Sequence, residues 1–272
     1  NNQTIGNPNL QRTYNHNLNL RFFSTKILAQ RNFFALLNAQ FADNSIVNYD
    51  SILPTRQTLS KPVNVNGIYR INATMNYGFG VKKLYSRINF GLNAGYNNNV
   101  NYANGVLNTI IIKSFSPNIT YSFSLDEVID INLVARHNYN NTNNAINKAL
   151  NTNFITRVYN ADIINYLPFN IVVNQTLNYT INEGRAPGFN TAVPIWNASI
   201  SKFFLKNKRA ELKISAFDIL NKNIGVSRNV SQNQIVDQSY NVINQYFLVG
   251  FTYSLQKSGL AGGGGPRMTF RM

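Results

Sequence analysis

The sequence predicts an all-β protein, an antiparallel up-and-down β-barrel that crosses a membrane with about eleven strands. Three observations predict it. Apolar and polar residues alternate with a period of two along most of the chain. The polar positions carry chiefly Asn, Ser, Thr and Gly rather than Lys and Glu. Connections between the alternating runs are short and long by turns.

The runs follow in order. Leu18, Leu20 and Phe22 alternate with Asn17, Asn19 and Arg21. The cleanest run is KPVNVNGIYRINATMNYGFG, where Val63, Val65, Tyr69, Ile71, Ala73, Met75, Tyr77 and Phe79 share odd parity and only Ile68 breaks it. In an extended chain such sets point to opposite faces, one apolar and one rich in amides. Ile88, Phe90, Leu92, Ala94 and Tyr96 form the next run, and Ile129, Ile131, Leu133 and Ala135 a later one. Phe169, Ile171, Val173, Leu177 and Tyr179 follow, then Trp196, Ala198, Ile200 and Phe204. Phe247, Val249, Phe251, Tyr253 and Leu255 close the series.

Two segments fit poorly. In 107–123, Lys113 shares parity with Ile111 and Phe115. A Lys facing lipid near the midplane costs about 2–4 kcal/mol, so a bulge or register change is expected there. Residues 152–166 show no parity. Short connections are expected near 24–31, 80–86, 124–128, 166–169 and 205–209, and long polar loops near 47–61, 97–106, 140–152, 183–194 and 218–241.

A soluble sheet also alternates, but its outer face carries Lys, Glu and Thr. Here aromatics also gather at strand ends: Tyr14 and Phe23, Tyr77 and Phe79, Tyr96 and Tyr102, Tyr121 and Phe123, Phe169 and Tyr179, Phe203 and Phe204. Rings at strand ends suit the headgroup level of a membrane barrel. No run approaches the length of a transmembrane helix. The strands are counted so that the last ends at the periplasmic rim. Residues 1–11 then belong to an external loop, and the odd count suits the C-terminal half of a larger barrel. The Gly-rich stretch 256–272 is expected to be a flexible tail.

Composition narrows the chemistry. The chain has 272 residues, 48 of them Asn, with 25 Lys+Arg against 10 Asp+Glu, a net charge of +15 and no Cys. Lack of Cys excludes disulfides, thiolate metal sites and a Cys nucleophile. The basic excess invites a nucleic-acid reading. The cations are scattered, though, and no stripe of them forms, so nucleic acid is not an expected partner. No HExxH, GxSxG or paired-carboxylate spacing is present, so neither an enzyme nor a cofactor is expected. His16 and His137 read as rim or girdle residues and Asp126-Glu127 as turn chemistry.

The residues also carry a resemblance. GNPNL at 6–10 with Tyr14 and His16-Asn17-Leu18, the upstream KPVNVNGIYRINATMNYGF, and the block from GRAPGFNTAVPIWNASISKFF through NVINQYFLVGFTYSL over 184–255 resemble TonB-dependent receptor-like outer-membrane β-barrel proteins of the Bacteroidetes type. In the first match Arg12-Thr13 stands where the family has Pro-Glu. The resemblance implies a barrel of about 22 strands with an N-terminal plug and a TonB-contacting segment. It also implies a place in the bacterial outer membrane, contact with its lipid, and uptake of a nutrient or chelate. This sequence holds no counterpart of the plug or of that segment. The alternative is a plugless structural or adhesive barrel; a third reading is a soluble basic sheet that binds nucleic acid.

Candidate site residues fall in two sets. Arg185, Phe189 and Asn190 in the loop 183–194, Trp196 just after it at the start of a strand, and Arg228 in the loop 218–241 are expected as ligand contacts, since Arg and aromatic groups suit carboxylates and sugar rings. Arg70, Arg87, Asp130, Arg136, Glu211 and Lys213 are expected to face the lumen or a plug. The basic groups Lys82-Lys83 and Lys206/Lys208/Arg209 fall on expected periplasmic turns, where anionic headgroups lie within reach.

Overall fold

The computed structural model describes residues 2–52, 58–103, 105–185, 189–230 and 235–254. Sixteen strands are formed among them: β1 (Asn2–Thr4), β2 (Tyr14–Lys26), β3 (Arg31–Asp43), β4 (Ser45–Ile52), β5 (Thr58–Val65), β6 (Ile68–Val81), β7 (Ser86–Ala103), β8 (Val106–Leu125), β9 (Ile129–Asn144), β10 (Thr152–Leu167), β11 (Ile171–Glu183), β12 (Thr191–Phe204), β13 (Ala210–Phe217), β14 (Gly225–Val230), β15 (Ile235–Tyr240) and β16 (Tyr246–Tyr253). Eleven of them make one sheet in the order β2-β3-β6-β7-β8-β9-β10-β11-β12-β13-β16. Every neighbouring pair in it is antiparallel. The meander and its eleven strands are as the alternation predicts.

The registers carry the alternation across the whole sheet. Ile71 lies opposite Ala39 and Tyr96, and Leu92 opposite Met75 and Pro117. Leu133 meets Tyr121 and Ala161, and Ile214 meets Ile200 and Val249. One-residue slips would turn these sets over, so the shared face fixes the register. Almost nothing covers that face. Among the described residues the buried apolar side chains are only Ala39, Val65, Val100, Ile110 and Ala210, while Phe251 is 68% exposed. An apolar surface spanning eleven strands is far beyond the patch a water-soluble monomer exposes.

The short connections match expectation closely: 27–30, 82–85, 126–128, 168–170 and 205–209. Each holds a non-glycine residue at positive φ, namely Gln30, Tyr85, Glu127, Phe169 and Leu205. They form one rim. The Gln30 carbonyl accepts from Gly80 N–H (2.9 Å), that of Tyr85 from Ser124 (3.1 Å), that of Val128 from Tyr166 (2.9 Å) and that of Arg209 from Ser254 (2.9 Å).

The other end differs from the sequence reading. The run 62–79 is two strands, not one. It breaks at Asn66-Gly67, where Gly67 takes φ +90, and β5 leaves the large sheet. β5 pairs antiparallel with β4 and parallel with β1, so residues 2–4, 47–52 and 58–61, expected in loops, help build a three-stranded sheet. Residues 97–106 are mostly strand as well, since β7 runs to Ala103 and β8 starts at Val106. Within the expected loop 218–241, β14 and β15 pair as a hairpin. The stretch 256–272 lies outside the described residues.

No register change occurs in 107–123. β8 keeps one register with β7 from Val106 to Phe123 and one with β9 from Ile110 to Leu125. The strand is 20 residues long, so Lys113 is carried past the middle of the sheet. It keeps the apolar parity, opposite Tyr96, and its Nζ stands 5.6 Å from the centre of that ring. Segment 152–166 is a full strand too. Its parity is hidden because Phe154, Val158 and Ile164 lie on the polar face and Arg157 on the apolar one, opposite His137 and Ile181.

Aromatic contacts form two bands on the apolar face. Toward the long connections, Phe41 meets Tyr69 (6.2 Å) and Tyr69 meets Tyr96 (5.9 Å). The band resumes through Phe115, Tyr139, His137, Tyr159 and Tyr179. Toward the short turns, Phe22 packs on Phe33, and Phe79 on Tyr77 and Phe90. Between Tyr69 and Tyr77 lie roughly 26 Å of strand, the scale of a bilayer's apolar band.

Candidate functional site

The face opposite the apolar one is a wall of amides and hydroxyls. Asn72 lies opposite Asn38, Thr74 opposite Asn93 and Ser122 opposite Asn132. Thr74 donates to Asn93 Oδ1 (2.9 Å) and Ser122 to Asn132 Oδ1 (3.0 Å). Large flat amides fit because small residues face them. A Cβ placed on Gly91 would come within 2.5 Å of the Asn118 amide.

All six charged residues expected to face the lumen lie on this wall. Arg70 opposes Gln40 and Asn97, Arg87 opposes Ser122, and Asp130 opposes Ser124. Arg136 opposes Asn118, Glu211 opposes Thr252, and Lys213 opposes Ser201. Neutral neighbours solvate them. Asp130 accepts from Ser124 (2.5 Å) and Tyr166 (2.9 Å), and Glu211 accepts from Ser201 (2.7 Å). Arg87 donates to Asn89 Oδ1 (3.3 Å) and to Asn32. The six are spread over the wall and do not converge on one point.

The end with the long connections is the more structured. Arg70 separates two open recesses where the large sheet meets β4. One of about 360 Å³ is lined by Asn48, Asp50, Asn99 and Asn101; the other, about 380 Å³, by Asn15, Gln40 and Ser45. Beyond β9 the chain 145–151 is held by asparagines. Asn144 Oδ1 accepts from the Ile146 (3.2 Å) and Asn147 (2.8 Å) amides, and Asn108 Oδ1 also accepts from Ile146 (3.2 Å). Asn108 and Asn144 are each 2% exposed, and Ile110 is fully buried beside them.

Among the expected ligand contacts, Arg185 and Asn190 come together. Asn190 Oδ1 accepts from the Arg185 amide (2.9 Å), and the guanidinium sits 6.0 Å over the Phe154 ring with Nη2 3.4 Å from Thr156 Oγ1. Thr156 donates in turn to Asn182 Oδ1 (3.0 Å), whose amide donates to Thr191 (2.9 Å). Gly184, at φ +73, makes the turn possible, since a Cβ there would strike the Asn153 carbonyl. Phe189 is half-buried nearby in sequence. Trp196 belongs elsewhere: it lies opposite Leu177, on the apolar face. Arg228 is in β14, opposite Asp237, in the hairpin apart from the large sheet.

Phe154, Thr156, Asn182, Asn108 and Asn144 were not singled out by sequence. The first two sit in the strand without parity. The three asparagines are indistinguishable by type among so many. A family model described as an outer membrane protein beta-barrel family matches residues 112–253, from within β8 to the end of β16 and over half the chain. No curated protein and no solved structure matches.

Proposed function

The chain belongs to the outer membrane protein beta-barrel family, and from that premise we propose that its sheet is the wall of a receptor that takes up a nutrient or chelate with energy delivered through TonB. The chain lies in the outer membrane. Its apolar face meets lipid and its amide face the barrel interior. The observation that carries the proposal is the polar face itself, where Arg70, Arg87, Asp130, Arg136, Glu211 and Lys213, together with Arg21 and Asp162, stand among amides and hydroxyls such as Asn38, Asn72, Asn93 and Asn132. A broad hydrogen-bonding surface of amides, hydroxyls and scattered charges suits contact with a plug and with a polar solute. The resemblance of 184–255 to TonB-dependent receptors supports that choice. Arg70 and Arg185, at the end with the long connections, are the side chains best placed to meet an anionic or sugar-bearing ligand on arrival.

The test uses the gene product purified from native outer membranes, with the periplasmic domain of TonB as probe. The expected result is capture by that domain and no steady conductance in planar bilayers. A stable open pore without capture is the signature of a plugless structural or adhesive barrel, and it would sink the uptake reading.

A further inference from the structure

We infer that the adjoining β2–β3 and β6–β7 turns form a binding surface for an anionic phospholipid headgroup of the inner leaflet. The inference rests on the outer-membrane location, with short turns on the periplasmic side. It does not rest on the uptake reading, so capture by TonB can fail without touching it.

The two turns are joined by the Gly80–Gln30 hydrogen bond and carry Lys26, Arg31, Lys82, Lys83 and Arg87. Neither 24–32 nor 80–87 contains an Asp or Glu. Asp126 and Glu127 are in the next turn, and neither comes within ion-pair distance of Lys82 or Lys83. Lys26 and Arg31 are direct cross-strand partners on one face. Like charges placed so repel, and an anion between them removes the repulsion.

Position identifies the anion as a lipid. Arg31 continues the lipid-facing series of β3 one step beyond Phe33, and lies opposite Phe79. Both rings belong to the aromatic band, which marks the boundary of the hydrocarbon. Arg31 is therefore level with the Phe79 ring at the hydrocarbon boundary and one step outward of Phe33, where its long side chain reaches the phosphates. The turn tip is not polar: Ile27 and Leu28 are 83% and 91% exposed. Apolar tips flanked by cations are the makeup of a surface that rests in an anionic interface. Between the turns lies an open recess of about 660 Å³ lined by Lys26, Arg31, Lys82 and Arg87 together with Ser122 and Ser124. The motif recurs at β12, where Lys202 Nζ lies 5.9 Å from both the Phe169 and Phe204 rings.

The test is native mass spectrometry of the full chain released from vesicles of phosphatidylethanolamine and phosphatidylglycerol at four to one. Retained phosphatidylglycerol should exceed its bulk share about three- to fivefold. In the K26Q/R31Q/K82Q/K83Q variant the excess should vanish, whereas K113Q/K148Q, altered at the opposite end, should keep it. Absence of any excess in the unaltered protein overturns the proposal, and so does an undiminished excess in the first variant. Because the unaltered protein is itself an arm, misfolding of the variant does not shelter the idea. Displacement of the lipid by free glycerol 3-phosphate would reassign the surface to a soluble anion and overturn it as well.

Discussion

Asparagine serves two separate purposes in this chain, and burial distinguishes them. On the interior wall, residues such as Asn72 are exposed, and their amides offer hydrogen bonds to whatever fills the barrel. At the end of β9, Asn144 is buried and spends its side-chain oxygen on two backbone amides of its own loop. The Ile146 amide keeps Asn108 Oδ1 as a second acceptor, so the side chain of Asn144 matters most to the Asn147 amide. Asn144→Ala should therefore free 145–151 while the sheet stays intact. Hydrogen exchange should rise at Asn147, less at Ile146, and remain slow in β9; equal protection of Asn147 in both proteins would refute the role. None of this is readable from residue type, because a chain with 48 asparagines marks none of them. The face of the sheet that the charged set shares, by contrast, was legible. Parity alone places Arg70, Arg87, Asp130, Arg136, Glu211 and Lys213, and the registers agree.

Strands were legible where each face keeps one chemistry. β6 and β7 do so, and their alternation predicts both pairing and facing. β10 does not, since Phe154 and Val158 turn inward while Arg157 turns outward next to Glu183, with which it forms an ion pair. β8 misled for another reason: a strand longer than the membrane places its lysine at the headgroup boundary, where a Lys over a Tyr ring is at ease. Gly67 shows a third limit, as a parity broken only at Ile68 conceals a change of sheet. Facing makes a direct prediction. Ile71→Lys or Leu92→Lys places a charge in hydrocarbon at about 2–4 kcal/mol, and should block assembly. Asn72→Lys or Asn93→Lys points into the interior and should assemble normally. Heat-modifiable mobility on gels reads the difference; equal tolerance at all four positions would reverse the assignment of faces.

At the scale of the molecule the sheet has two edges, β2 and β16, each hydrogen-bonded to a single strand. Backbone at a sheet edge cannot remain unpaired in hydrocarbon, so each edge requires a neighbour. Absence of cysteine makes this testable without background. Leu20→Cys with Val249→Cys should give no disulfide if other strands lie between the edges, while the control pair Ala39→Cys with Ile71→Cys, direct partners in β3 and β6, should cross-link. Efficient bonding of the first pair would mean that β2 and β16 close on each other. The sequence could not settle this, because alternation reports which face a strand shows and says nothing of what lies beside the outermost one.

A wall one residue thick has a further consequence. In a packed core, exchanging one side chain forces its neighbours on every side to adjust, so function and stability are tied together. Here the side chains of odd and even positions never touch, being separated by the backbone itself. Selection can rewrite the polar face, residue by residue, without disturbing the fit to the membrane. It can equally adapt the exterior to a different lipid while the polar face stays the same.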